Sequence, residues 1–456
     1  MVEGEKTIRR NSEAYCGGAF GDEGKGRIVD NRVSDLIIQG LVVVYRDNGG
    51  ANAGHTVEFG TKRIALHQLP SGVFIPGATV VLGKEMVIHP GDLVEEIEQV
   101  KEISGGGIKA TIMIDEYARL SLDTHRAFEA VSSAWHGGGK AATGRGISSA
   151  YSDVIQRFPL EIGDLGVFNE EKLARHYRYY DAILQGLGSN LAEVEVPSLD
   201  GRVRVGSLEE FIGRLKRQRE VVAEYAANVI MFLEEKWADT LVPFVFEKAQ
   251  AIGLDRRWGV YPDITASDTT FGGIDSSTGG IIKSNSIERR VGVIKATYMS
   301  SVGSRRLPTM MDKDLAERIR EKANEYGATT HRPRDIAYLD LVAIKFFAEQ
   351  GAVNGLALTH LDISYPDVPV KVCVAYVKDG KRVPYYPDQR YLRQVKPVYV
   401  ELSPWSGEVT QKARRREDLP PEAKDFLNFV SEQTGLPILM VTTGPKREQG
   451  IMLGER

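Results

Sequence analysis

Residues 17–27 read Gly17-Gly18-Ala19-Phe20-Gly21-Asp22-Glu23-Gly24-Lys25-Gly26-Arg27, directly after a short apolar stretch. Its glycines let backbone N–H groups close on phosphate oxygens, and Lys25 adds a point charge. The stretch is not a Walker A sequence. Gly18 to Gly24-Lys25 is one residue too long, and Gly26 stands where a serine or threonine would hold magnesium. A P-loop-like nucleotide site is expected here, with Asp22 as the oxygen donor to the metal. A plain glycine-rich turn is the competing reading.

The rest of the chain fits an α/β frame around that loop. Leu41–Tyr45, Thr79–Leu82, Thr111–Ile114, Val242–Phe246, Gly355–Leu358 and Ile438–Val441 are short apolar runs that predict strands. Continuous apolar runs belong to strands covered on both faces, so the central sheet is expected to be mostly parallel. Ser207–Trp237 predicts one long helix, opened by a capping box of Ser207 and Glu210. Ile336–Gln350 and Glu422–Gln433 also read as helices. Lys412–Arg416 reads as a solvated turn. Neither a linker nor an internal repeat is evident. The expectation is a single α/β domain over 1–456 with helical insertions, residues 1–12 being a flexible extension.

Several further segments carry chemistry. Asn48-Gly49-Gly50-Ala51-Asn52-Ala53-Gly54-His55-Thr56 sets a histidine among small residues, where it can approach a ligand and move a proton near neutral pH. Alone it would more often be structural; beside Asp22 it completes an acid–base pair over a phosphate loop. Ala142-Thr143-Gly144-Arg145-Gly146-Ile147 suits a second phosphate contact or an ordinary loop. Phe246-Glu247-Lys248-Ala249-Gln250 ends an apolar strand, where α/β proteins place ligands, and Gln250 can both donate to and accept from a nucleobase edge. Thr265 opens a hydroxyl-rich loop that reads either as a binding segment or as capping. Thr329, Thr330, Arg332 and Arg334 read as a carboxylate or phosphate clamp or as a solvated charged turn. His360-Leu361-Asp362 and Thr442-Thr443-Gly444 follow strands; Asp362 suits guanine N1 and N2, or a turn cap.

Composition excludes little else. The chain has 58 basic and 62 acidic residues, a net charge of −4, which forces no binding to nucleic acid or anionic membrane. Cys16 and Cys373 form no paired motif, as in a reducing compartment. No apolar leader precedes Glu13 and no run reaches the ~20 apolar residues of a membrane span, so a cytoplasmic protein is expected.

Taken in order, Gly21–Gly26, Asn52–Thr56, Thr143–Ile147, Phe246–Gln250, Gly327–Arg334, Leu361-Asp362 and Thr442–Pro445 resemble the adenylosuccinate synthetase family across nearly the whole chain. The resemblance implies a magnesium- and GTP-dependent ligase. It would phosphorylate the 6-oxygen of IMP and let L-aspartate displace the phosphate. Asp22 would be the base on purine N1 and a magnesium ligand, and His55 the acid at the 6-oxygen. Gly54 would offer its carbonyl to magnesium. Gly21, Glu23, Gly24, Lys25, Gly26, Arg27 and Thr56 would hold the donor phosphates. Arg334, His360, Asp362, Thr443 and Gly444 would meet the donor ribose or base. Asn52, Ala53, Thr143, Gln250, Thr265 and Arg332 would bind IMP, joined by Arg157 from the second subunit of a homodimer. Thr329, Thr330 and Arg332 would face aspartate.

The chain departs from the family pattern at Phe20 (tryptophan), Arg27 (lysine), Ala142 (threonine), Ser148-Ser149 (Gly-Pro) and His360 (lysine). The sister reaction on GMP or dGMP, with ATP as a possible donor, is the alternative; that branch tends to lose the aspartate matching Asp22. A regulator without catalysis and a P-loop kinase or GTPase are the remaining classes. Retention of Asp22 and His55 speaks against the first, and the missing Walker A hydroxyl against the second.

Overall fold

The computed structural model describes residues 9–37, 40–59, 62–136, 143–301, 303–327 and 333–454. Ten strands form the central sheet: β1 (Arg9–Gly17), β2 (Val42–Arg46), β3 (Ala78–Leu82), β4 (Thr111–Asp115), β5 (Ala226–Ala227), β6 (Phe244–Ala251), β7 (Ile287–Lys295), β8 (Gly355–Thr359), β9 (Ile438–Thr442) and β10 (Gly450–Met452). Their order across the sheet is β5-β4-β3-β2-β6-β1-β7-β8-β9-β10. Neighbours pair in parallel except β9 and β10, which are antiparallel.

The apolar runs explain this placement. Val43 and Tyr45 of β2 pack into one core and Val42 and Val44 into another. Phe244 and Phe246 of β6 divide from Val245 in the same way, because successive side chains leave opposite faces of a strand. Each face is therefore covered, as expected for a parallel sheet. A second sheet joins Tyr298–Ser301, Asp335–Asp340, Val370–Lys378, Lys381–Val383 and Lys396–Leu402.

Helix α1 (Lys25–Leu36) follows β1 through the glycine-rich loop. Helices α2 (Asp123–Trp135), α3 (Ile147–Gln156), α4 (Glu170–Gly186) and α5 (Leu208–Val222) belong to a long insertion between β4 and β5; α6 (Val229–Ala238) follows β5. Helices α7 (Leu341–Gly351) and α8 (Pro421–Thr434) flank β8 and β9 in sequence. Among the described residues no helix is long and apolar enough to cross a membrane.

Three expectations are corrected. The predicted Ser207–Trp237 helix keeps its capping box, with Ser207 N–H donating to Glu210 Oε2 at 2.7 Å, but it stops at Val222. Ala226 and Ala227 extend beside Ile114 and Asp115 as the sheet's edge, and the Asn228 side chain accepts from Met231 N–H to start α6. Edge pairing and a local cap override a periodicity that runs through both helices. Ile336–Gln350 divides likewise: Asp335–Asp340 is a strand, and Asp340 Oδ1 accepts from Val342 and Ala343 N–H to open α7. Short apolar runs do not separate strand from helix by period alone. Finally, Arg9–Ser12, placed in a flexible extension, begin β1; the buried Arg9 guanidinium donates to the Val242 carbonyl at 2.6 Å.

Candidate active site

The loop after β1 is closed by its own carboxylate. Glu23 is 2% exposed, and its Oε1 accepts from Gly21 N–H at 2.7 Å and Ala19 N–H at 3.3 Å. Its Oε2 meets Lys25 Nζ at 3.2 Å. The Glu23 side chain thus ties the loop to itself. Gly24, at φ +81°, begins α1 with no side-chain cap, which leaves the first-turn N–H groups to a ligand. Arg27, half-buried, donates from Nη2 to the Lys446 carbonyl at 2.5 Å.

Asp22 is the loop's exposed carboxylate. Its Oδ2 lies 2.7 Å from Arg334 Nη2, and Arg334 Nη1 donates to Glu325 Oε2 at 2.8 Å. Glu325 in turn accepts from Tyr298 Oη at 2.6 Å and from Lys295 Nζ. Burial would raise the Glu325 carboxyl, but Lys295 and Arg334 hold it well below the usual range. Glu325 and Lys295 were not evident in the sequence; only the place of Lys295 at the end of an apolar strand could have flagged it.

His55 opens the hairpin of His55–Phe59 and Lys62–Leu66, where it pairs with Leu66. A Cβ on Gly26 would sit 2.7 Å from His55 Cβ, so the first turn of α1 and the histidine are in direct contact. His55 Nδ1 lies 2.5 Å from Oε1 of Glu247, which is fully buried. Ser71 fixes that carboxylate, donating N–H to Oε2 at 2.8 Å and Oγ–H to Oε1 at 2.5 Å. Burial lowers the His55 pKa and outweighs Glu247, which raises it. Burial would raise the Glu247 carboxyl, but His55 and Ser71 hold it below the ordinary value. Burial thus favours the neutral imidazole. Glu247 was quoted within its motif without a role.

The wall beside this pair carries polar groups that lack partners. Gln250, at φ +58°, has both amide atoms buried and unpaired. Gly49 makes the space: a Cβ there would lie 3.1 Å from Gln250 Oε1. Thr265 Oγ1 is also buried and unpaired. Orphaned buried groups of this kind cost roughly 1–3 kcal/mol each unless something pairs with them. Asn52 Oδ1 accepts from Gly50 N–H at 3.2 Å and shapes the turn before His55. Ala53 is buried beside it with its carbonyl 2.6 Å from His67 Nδ1, while Gly54 and Thr56 are half-buried on either side of His55.

On the other side, His360 at φ +58° stands beside Tyr298, whose Oη lies 3.4 Å from its Nδ1. Burial, then Lys295, pushes its pKa down to about 4. Asp362 Oδ2 accepts from Gln411 Nε2 at 2.9 Å. The Thr443 hydroxyl donates to the Gln449 and Ala413 carbonyls at 3.3 and 3.4 Å, which ties loops together. A Cβ on Gly444 would meet Gln449 Nε2 at 2.4 Å.

Thr143 is exposed, but Arg145 is corrected as a phosphate contact: it is buried, 3.2 Å from Asp92 Oδ2, which also binds Arg126. Arg157 is exposed at φ +70° after α3. Thr329, Thr330 and Arg332 lie outside the described residues.

Asp22 offers a carboxylate oxygen of the kind magnesium takes, paired here with Arg334. His125, Asp153 and His176 also gather like a metal site. There, however, His125 Nδ1 accepts from Leu122 N–H, so its Nε2 proton goes to Asp153 Oδ2 at 3.0 Å, and Tyr180 Oη donates to Oδ1 at 2.8 Å. The cluster is a hydrogen-bonded joint between α2, α3 and α4.

A parallel α/β sheet with a phosphate loop and an imidazole packed on its helix defines a nucleotide-handling enzyme fold. Residues 14–451 match the family model described as adenylosuccinate synthetase. The adenylosuccinate synthetase of Thermus thermophilus is 37% identical over 95% of this chain and 97% of its own length. That of Chlorobaculum parvum is 33% identical over 98% and 99%. The fully ligated adenylosuccinate synthetase of Plasmodium falciparum superposes with a TM-score of 0.85 at 28% identity, over 97% of this chain and all of that one. The cyanophage S-2L succinoaminodeoxyadenylate synthetase, bound to dGMP and dATP, shares the fold at a TM-score of 0.57 and 16% identity, over 96% of this chain and 94% of that one. The chain belongs to the adenylosuccinate synthetase family and is a carbon–nitrogen bond-forming ligase.

Proposed function

We propose that this enzyme joins L-aspartate to IMP with GTP as phosphate donor, giving adenylosuccinate, GDP and phosphate, a step of AMP synthesis. The observation that carries this reading is the contact of His55 with the first turn of α1, four residues beyond Asp22, and its pairing with Glu247, three residues before the unpaired Gln250 amide in the same strand.

The residues take these roles. Asp22 removes the purine N1 proton, and the 6-oxygen then attacks the γ-phosphorus of the donor as GDP leaves. A lactam oxygen is a poor leaving group; as phosphate it is a good one. The aspartate amine attacks C6, phosphate departs and the amine loses its proton. His55 is neutral in the free enzyme. Negative charge building on the 6-oxygen adds to that of Glu247 and favours the imidazolium, so the ring takes up a proton from water as substrates bind and donates a hydrogen bond to the oxygen. Arg334 holds Asp22, so it must yield when donor and acceptor enter. Gln250 and Thr265 face the acceptor, with Asn52, Ala53 and Thr143 beside them. Thr329, Thr330 and Arg332 receive aspartate. His360, Asp362, Thr443 and Gly444 frame the donor base, Thr443 and Gly444 through their backbone. Magnesium, held by Asp22 and Gly54, would neutralise phosphate charge. Arg157, flanked by the exposed Ile155 and Phe158, serves a second subunit of a homodimer. Two buried free thiols suit the cytoplasm.

Labelled aspartate supplied with GTP and either IMP or dGMP tests this. Adenylosuccinate from IMP is the expected product. Turnover of dGMP without IMP would assign the sister reaction instead.

A further inference from the structure

We propose that Lys248 is a positioning residue for the acceptor purine, acting through its ion pair with Asp47. This rests on the reading of Gln250 and Thr265 as acceptor contacts. Both Lys248 and Asp47 are wholly excluded from solvent, and Lys248 Nζ contacts Asp47 Oδ2.

The pair lies where three segments meet. Asp47 follows β2 and leads into Asn48-Gly49. Lys248 lies in β6, two residues before Gln250. The loop of Thr265–Gly273 closes on the same point: a Cβ on Gly273 would stand 3.1 Å from Lys248 Nζ and 3.2 Å from both Asp47 Oδ2 and Asp268 Cγ. Asp268 is itself held by Arg257 Nη2 at 2.6 Å and Thr270 N–H at 2.9 Å. Asn48 runs alongside, accepting from Ala249 N–H at 2.9 Å and donating to Ser267 Oγ at 3.0 Å. One ammonium thus registers the segments that carry Gly49, Gln250 and Thr265, the parts of the site with space and unpaired groups.

Stability alone gives no reason for this pair. Taking two charges out of water costs several kcal/mol per ion, and well-packed apolar replacements are often equally stable. Asp47 Oδ1 is even left buried without a hydrogen-bond partner. A charge pair supplies a single registry that apolar packing does not, and registry is what an amide reading a purine edge requires.

The double variant K248M/D47L tests the assignment in the full-length enzyme, by thermal melting and steady-state kinetics with IMP, GTP and aspartate. It is expected to melt near the parent, with KM for IMP raised about tenfold and KM for GTP and kcat unchanged. An unchanged KM for IMP in the folded double variant would overturn the proposal. Should that variant not fold, D47E, which keeps both charges and moves the carboxylate by one methylene, is read by the same criterion. Q250A is measured in parallel: if it leaves KM for IMP unchanged, the reading of Gln250 falls, whatever the ion pair does.

Discussion

Nδ1 of His55 stands 2.5 Å from Oε1 of Glu247 in a site closed to solvent. The carboxylate opposes the effect of burial on the imidazole. E247Q should lower kcat about 10–100-fold with little change in KM for IMP. His55 would then hold its proton still less tightly, so the alkaline limb of the pH–kcat profile, where the imidazolium is lost, should move to lower pH. H55N should cost more, about 10²–10⁴-fold, while nucleotide binding survives. Full activity in H55N would remove the imidazole from the mechanism.

Gly26 is required for a steric reason. An added Cβ meets His55 Cβ at 2.7 Å and Ser71 Oγ at 3.0 Å. G26A should therefore destabilise by about 1–3 kcal/mol and move His55 and the anchor of Glu247 together. Denaturant melts with activity at matched folded fractions check this; a variant as active and stable as the parent would contradict it.

Gln250 offers the opposite case. Its amide has no partner to lose, so Q250L should leave melting unchanged or raise it, while KM for IMP rises about tenfold. A large loss of stability would show that the amide is structural.

His360 predicts an acid sensitivity. Its folded pKa of about 4 lies below the ordinary value of 6.5, so between these values the unfolded chain binds a proton that the folded one does not. Stability is then full above pH 6.5 and falls as pH drops towards 4, by at most about 3 kcal/mol. H360Q removes the group and should retain more of its neutral melting temperature at pH 4.5 than the parent does. Equal losses would show that His360 is not the source.

Much of this was legible in the sequence, and the gaps have physical causes. Each predicted sheet strand was an apolar run, because a strand covered on both faces has little polar surface to show. The loop after β1 and the His55 segment were legible because their glycines and charged residues are adjacent in the chain. The tie that the Glu23 side chain makes to its own loop was not legible, because its type suits either a ligand or a loop tie. Glu247 with His55 and Glu325 with Arg334 were invisible as pairs, since the fold brings them together. The break at Asn228 was missed because a cap and two edge residues interrupt a helical period without disturbing it.

The central claim is that the purine oxygen itself carries the phosphoryl group. IMP labelled with ¹⁸O at the 6-position, incubated with GTP, aspartate and the enzyme, tests it by mass spectrometry of the phosphate released. One ¹⁸O in phosphate for each adenylosuccinate formed is predicted. Adenylosuccinate formed alongside unlabelled phosphate would contradict it.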